Sequence, residues 1–234
     1  MQCLSSKCHY MIVASGGKGL RLGSDIPKQF LPIAGKPILM RTIEKIKFAD
    51  KDINIVLVLP KEHQDYWFLL CKEYGFEIEH RVVLGGEERF FSVKNALDTI
   101  DDQEAIIGVH DGVRPFVSVK VIKDCFQEAQ EKGNAIPAIN PLETVRIINK
   151  ESENETLTFD RNSVWLVQTP QCFDVKILKQ AYNQSYDKSF TDDASVVEHC
   201  GYSINLVEGN RENIKITNPL DIAYAELLID EFKN

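Results

Sequence analysis

Residues 53–59 read INIVLVL, an almost unbroken run of apolar, mostly β-branched side chains. It is too short for a buried helix and too uniform for a strand with one wet face. Such a run fits a parallel strand covered on both faces by crossover helices. Residues 105–110 and 135–139 repeat the pattern, and 81–84 is a shorter example. Helical patterns separate them. One begins at Pro37 and puts Leu39, Ile43 and Ile46 on a single stripe, and the next runs from Pro60 to Tyr74 and stops at Gly75. A third carries Phe90, Val93, Leu97 and Ile100. The fourth, 118–132, turns Val121, Ile122, Cys125, Phe126 and Ala129 inward before Gly133. Strands alternating with helices at this spacing predict an α/β fold with an open, doubly wound, mostly parallel sheet.

In such sheets ligands bind beyond the carboxyl ends of the strands. The first strand runs into one such end. Residues 12–30 (IVASGGKGLRLGSDIPKQF) leave a buried strand, pass Gly16, Gly17, Gly19 and Gly23, and deliver Arg21 and Lys28. Glycines let backbone N–H groups converge on phosphate oxygens, and two cations after them suit a polyphosphate held while it reacts. Taken alone, the same residues describe a glycine-rich surface turn with two solvated cations. Gly85-Gly86 and Asp111 also sit at strand ends, and that agreement favours the binding loop. It is not a P-loop, because Gly17-Lys18 is followed by Gly19 and Gly35-Lys36 by Pro37. Nor is it a dinucleotide fingerprint, since Gly23 arrives one residue late and the second strand ends in Leu59-Pro60 without an acidic residue.

The pattern changes at Asn140. Residues 144–148 alternate, a polar stretch (NKESENET) follows, and 157–167 alternate again, which reads as a long hairpin with too little apolar surface to pack alone. Such an arm projects or pairs with another chain. Residues 174–186 read as helix. Thr191 reads as an N-cap, with Asp192 and Asp193 as helix-start carboxylates. Short strands are expected at 203–207 and 213–216, and a last helix from Asn218-Pro219 to Phe232.

The chain has 27 basic and 35 acidic residues, a net charge of −8, and no basic run to offset it, which argues against nucleic-acid binding. Its six cysteines form no C-x-x-C pair and its five histidines add no ligand spacing, so zinc is not expected. Cys71 and Cys125 lie on apolar helical faces and read as core thiols. The apolar run 10–14 is too short for a signal or a membrane span, and the expected compartment is the cytoplasm.

The segments PKQF, GGEER with Ser92, HDGVRPF, DRN before QTPQCF, TDDAS and EGNRENIKIT, in this order, resemble the cytidylyltransferases of isoprenoid precursor synthesis. The nearest resemblance is to the 2-C-methyl-D-erythritol 4-phosphate cytidylyltransferase family, and it extends from Met11 to the last helix. It implies a Rossmann-like nucleotidyltransferase with a projecting β-hairpin arm. The expected layout is a single domain over 8–234, with 140–168 as a dimerisation arm of a homodimer. The implied reaction transfers CMP from CTP to the alditol phosphate, releases pyrophosphate and uses Mg²⁺ or another divalent cation.

Carried over residue by residue, Arg21 and Lys28 match the cations that stabilise the transition state. Arg161 and Lys215 match those that position the acceptor phosphate, and Arg114 and Thr144 complete that pocket. Gly86, Glu87 and Ser92 match the cytosine-reading segment, and Ala14, Ser15, Gly16 and Gly17 the backbone contacts to the nucleotide. Asp111 matches the acidic position beside nucleotide, acceptor and metal. The resemblance is imperfect: the loop GGKGLR is one residue longer than the commoner form, Glu87 stands where Asp is frequent, and Gly112-Val113 replaces an Ala-containing pair. Without the motif context Arg114 and Arg161 read equally as surface ion-pair residues. Two rival functions remain at this stage. One is a cytidylyltransferase acting on ribitol 5-phosphate or another alditol phosphate; the other is a non-catalytic nucleotide-binding protein.

Overall fold

The computed structural model describes residues 7–16, 26–148 and 155–231. In chain order the strands and helices are β1 (Cys8–Ala14), β2 (Pro32–Ile33), β3 (Lys36–Pro37), α1 (Ile38–Ala49), β4 (Asn54–Leu59), α2 (Lys61–Glu73), β5 (Arg81–Leu84), α3 (Arg89–Leu97), β6 (Ala105–Asp111), α4 (Val119–Lys132) and β7 (Asn134–Ile139). They continue with β8 (Val145–Ile148), β9 (Thr156–Phe159), β10 (Leu166–Val167), β11 (Gln171–Asp174), α5 (Val175–Tyr182), α6 (Asp193–His199), β12 (Leu206–Glu208) and α7 (Pro219–Glu231).

Eight strands form the main sheet, in the order β10–β7–β11–β6–β1–β4–β5 with β12 also paired to β7. β6, β1, β4 and β5 run parallel, as the apolar runs predict. The helices cover both faces. Leu39, Ile43 and Ile46 of α1 and Ile122, Cys125 and Phe126 of α4 pack on one side with Trp67. Phe90, Val93 and Leu97 of α3 and Leu178 of α5 pack on the other. α4 is closed as the sequence indicates: the Ser118 hydroxyl accepts from the Val121 amide, and Gly133 takes the left-handed conformation (φ 90°) that a side chain disfavours. Cys125 is buried in this core; Cys71 is half-buried, and burial pushes its thiol up to about 11. No helix among the described residues is long and apolar enough to cross a membrane.

Several expectations are corrected. Residues 157–167 do not form one strand. β9 ends at Phe159, the Asp160 side chain accepts from the Asn162 amide to start a 3-10 turn over Arg161–Ser163, and β10 then joins the main sheet. A strand the pattern did not reveal, β11, lies antiparallel between β6 and β7. Between Val167 and Cys172 the chain advances five residues while β7 advances only from Ala138 to Ala135, so Thr169-Pro170 is looped out of the ladder. Residues 213–216 are not a strand, and the strand expected at 203–207 is β12. Asp192, not Thr191, caps α6, in a reciprocal box with Ser195. Phe68 and Trp165 are exposed, at 54% and 43%, while Trp67 is fully buried.

Candidate active site

The sheet order reverses between β1 and β6, because the chain leaves β1 for β4 on one side and β6 leads to β7 on the other. That is where an open α/β sheet forms a ligand crevice. Three loops are tied down there, each by an amide bonded to a carbonyl at the end of a neighbouring strand. Ser15 N–H donates to Val58 O (3.1 Å), Gly112 N–H to Ala14 O (2.9 Å) and Gly85 N–H to Leu59 O (2.9 Å). Between them lies a cleft of about 830 Å³. Its walls include the expected Ala14, Ser15, Gly16, Lys28, Gly86, Glu87, Ser92, Asp111 and Lys215, together with Gln29, Glu62 and Arg89.

On one wall Ser92 is nearly buried and its hydroxyl accepts from the Gly86 N–H at 3.0 Å. Glycine is needed at 86, since a Cβ there would lie 2.4 Å from the Phe91 Cβ. The chain thus turns tightly enough to present its backbone edge to the cleft. Across from it, Gln29 of the PKQF segment is buried. Its Nε2 donates to the Ser15 carbonyl at 3.3 Å and sits 3.3 Å from His63 Nδ1. Gln29 and Lys28 share one 3-10 turn, so this anchor also fixes where the half-buried Lys28 enters the cleft.

Asp111 closes the far wall. Its Oδ2 receives both Arg114 Nε (3.1 Å) and Lys215 Nζ (3.0 Å). Burial disfavours the carboxylate, but Lys215, Arg89 and Arg114 outweigh it and hold the group well below the usual carboxylate range. Asp111 is therefore an anion at neutral pH with one oxygen saturated by cations. Next to it His110 is fully buried, and burial pushes it down to about 4, so the ring is neutral.

A third cation was not legible as a site residue. Arg89 makes a two-pronged pair with Asp193, at 2.9 Å and 2.6 Å, and Tyr182 donates to the same carboxylate at 2.6 Å. Burial works against the Arg89 charge, yet the Asp193 carboxylate raises its pKa. Asp193 does lie in the first turn of α6, as expected, but its side chain is fully buried. The doubled Asp of TDDAS was the only signal, and it could not name a partner so distant in sequence. The motif's two acids divide the work, Asp192 capping α6 and Asp193 holding Arg89.

Arg114 stands behind Asp111 rather than on the cleft wall. Thr144 and Arg161 are exposed on the arm and are not among the residues lining this chain's cleft, Arg161 donating instead to Leu142 O at 2.6 Å. Gly17 and Arg21 lie outside the described residues. Among the described residues no group of three or more His, Cys, Asp or Glu side chains is placed to hold a metal.

Residues 9–231 match the family model described as IspD, 2-C-methyl-D-erythritol 4-phosphate cytidylyltransferase. The chain belongs to the IspD family. A curated relative of that name from Bacteroides fragilis is 54% identical over 95% of this chain and all of its own length. A solved 4-diphosphocytidyl-2C-methyl-D-erythritol synthase from Anaerococcus prevotii superposes with a TM-score of 0.82 at 27% identity, covering 97% of this chain and 100% of that one. The IspD structure from Francisella tularensis gives a TM-score of 0.77 at 32% identity, covering 94% and 99%. The protein is accordingly an enzyme, a nucleotidyltransferase of the cytidylyltransferase type, and its sheet is the one this IspD fold uses.

Proposed function

We infer that this cleft transfers CMP from CTP to 2-C-methyl-D-erythritol 4-phosphate, forming the CDP-alditol and releasing pyrophosphate. The observation that carries the reading is one cleft in which Lys28 and the Gly86–Ser92 turn face an Asp111 carboxylate already paired with Arg114 and Lys215. An acceptor-phosphate oxygen attacks the α-phosphorus of CTP. The new O–P bond forms as the bond to the bridging oxygen breaks, and pyrophosphate leaves with that electron pair. Little covalent chemistry falls to the protein, so positioning two polyanions and neutralising the charge that gathers between them supply the catalysis.

In this reading Gly86, Glu87 and Ser92 take cytosine, while Ala14, Ser15, Gly16 and Gly17 offer backbone to the nucleotide. Arg21 and Lys28 stabilise the transition state. Lys215 sets the acceptor phosphate and Arg114 supports it from behind Asp111, the carboxylate itself standing beside ribose or metal. An ionised carboxylate, with no group of three or more ligands placed to hold a metal among the described residues, suits Mg²⁺, which keeps several waters and binds largely through substrate phosphates. Asp111 would hold it, and the cation would supply further charge neutralisation. Thr144 and Arg161 lie on an arm whose β8–β9 ladder pairs with no other strand among the described residues. We assign them to the cleft of a second copy in a homodimer, and the enzyme to the cytoplasm.

Pyrophosphate release from CTP and Mg²⁺ with each candidate acceptor tests the reading. Turnover with methylerythritol phosphate at least tenfold faster than with ribitol 5-phosphate is expected; the reverse preference, or tight CTP binding without turnover, would contradict it.

A further inference from the structure

His110 takes no part in the reaction just described, yet both of its ring nitrogens are engaged and every partner belongs to a site-bearing segment. The Arg114 carbonyl, 3.0 Å from Nε2, can only accept, so Nε2 carries the proton. Nδ1 is then the acceptor, and the Thr169 hydroxyl donates to it at 2.9 Å. That hydroxyl in turn accepts from the Asp111 N–H at 3.2 Å. From Arg114, Nη1 donates to the Asn213 carbonyl at 2.7 Å. Asn213, fully buried, donates from Nδ2 to the Thr169 carbonyl at 2.8 Å. The ring closes: His110, Arg114, Asn213, Thr169 and back to His110. It joins the end of β6, the residues looped out before β11, and the segment that carries Lys215.

We propose that His110 is a positioning residue, which holds Asp111 through Thr169 and Arg114 through its carbonyl so that Arg114 and Lys215 meet on one oxygen of Asp111. The inference rests on the proposed acceptor-side role of those two cations. The Gly86–Ser92 turn and the Gln29 anchor share no hydrogen bond with the ring. Loosening the ring therefore displaces Arg114 and Lys215 more than it displaces the Gly86–Ser92 turn that takes cytosine. A displacement of about 1 Å at a reacting site is enough to cost on the order of 10²-fold.

The test uses three substitutions in the full-length enzyme with CTP, Mg²⁺ and methylerythritol phosphate. His110→Leu removes both ring functions, His110→Gln keeps a donor near the Nε2 position, and His110→Asn keeps an acceptor near Nδ1. Melting temperatures are recorded alongside kinetics normalised to folded protein. His110→Leu should lower kcat/KM for the acceptor by about 10²-fold while KM for CTP stays within about threefold of wild type. His110→Gln should recover at least about tenfold of that loss, because it still tethers the Arg114 carbonyl. If His110→Leu does not fold, the Gln and Asn variants carry the same split between substrates. Equal losses toward CTP and acceptor, or a lower melting temperature with both constants intact, would overturn the proposal. No turnover by the wild-type enzyme would instead remove the functional reading beneath it.

Discussion

At the carboxyl end of β6, Asp111 is only 7% exposed, and both its carboxylate and its amide have partners within the chain. On the arm the reverse holds. Among the described residues β8 and β9 pair only with each other; Leu157 is 71% exposed and Ile148 64%, with Ile147 and Phe159 also turned outward. Arg146 stitches this hairpin through Thr156 and Thr158, which fixes its shape but covers none of those side chains. The difference teaches where each region gets its order. A site that stabilises charge must have its dipoles and ions set before substrate arrives, and around Asp111 this chain's own Arg114, Lys215 and Thr169 set them. In the proposed homodimer the arm is completed by another chain. Burying four large apolar side chains from each of two copies contributes on the order of 10 kcal/mol or more. That offsets an association cost of about 4–15 kcal/mol.

The largest effect that would sharpen this contrast is base choice. The Ser92 hydroxyl is held against Gly86, so if this turn takes cytosine as proposed, it would not easily relax to accept a carbonyl in place of the amine. kcat/KM for UTP should fall about 10⁴-fold below that for CTP. Comparable rates with the two nucleotides would mean that this wall is not preorganised for the base. Next comes Lys28→Ala. Removing one fixed cation should cut kcat by about 10²–10³-fold with a smaller change in CTP affinity, measured by steady-state kinetics and binding. Near-normal turnover would dissociate Lys28 from the chemistry.

The third effect concerns stability. Folded His110 sits at about 4 against an ordinary 6.5. Between those values the unfolded chain binds a proton that the folded chain refuses, so stability is full above 6.5 and declines as pH falls toward 4, by roughly 3 kcal/mol. Asp111 titrates below this window, since its shift is downward from 3.8. Thermal melts from pH 7 to 4 should therefore fall more steeply for wild type than for His110→Gln. Parallel slopes would show that the ring is not neutral in the fold.

Much of this was readable before the structure. The apolar runs place β4, β6 and β7, and Ser118 and Gly133 bound α4, because those signals are local and strong. β11 was missed because four residues, one of them the buried polar Gln171, carry too little periodicity to declare a strand. Gln171 is satisfied only by the distant α6 end, donating to Asp192 and accepting from the Ala194 amide. The partner of Asp193 stayed hidden for a similar reason. A carboxylate at a helix start has a sufficient local explanation, and nothing in the sequence points to Arg89. Lys28 and Lys215 were named from motif order and both line the cleft, whereas Arg89 and the buried Gln29, His110, Asn213 and Asp193 find their partners only once distant segments meet.

The contrast between a preset Asp111 centre and an arm proposed to reach a partner's cleft is tested most directly by complementation. Lys28→Ala leaves the arm intact, and Arg161→Ala leaves the opening loop intact. Each variant alone should be nearly inactive. Mixed under conditions that let subunits exchange, they should form dimers in which one cleft pairs an intact Lys28 with an intact Arg161 from the other chain. Pyrophosphate release should then rise well above that of either parent. No recovery despite demonstrated exchange would place both residues in one chain's site and contradict the shared active site.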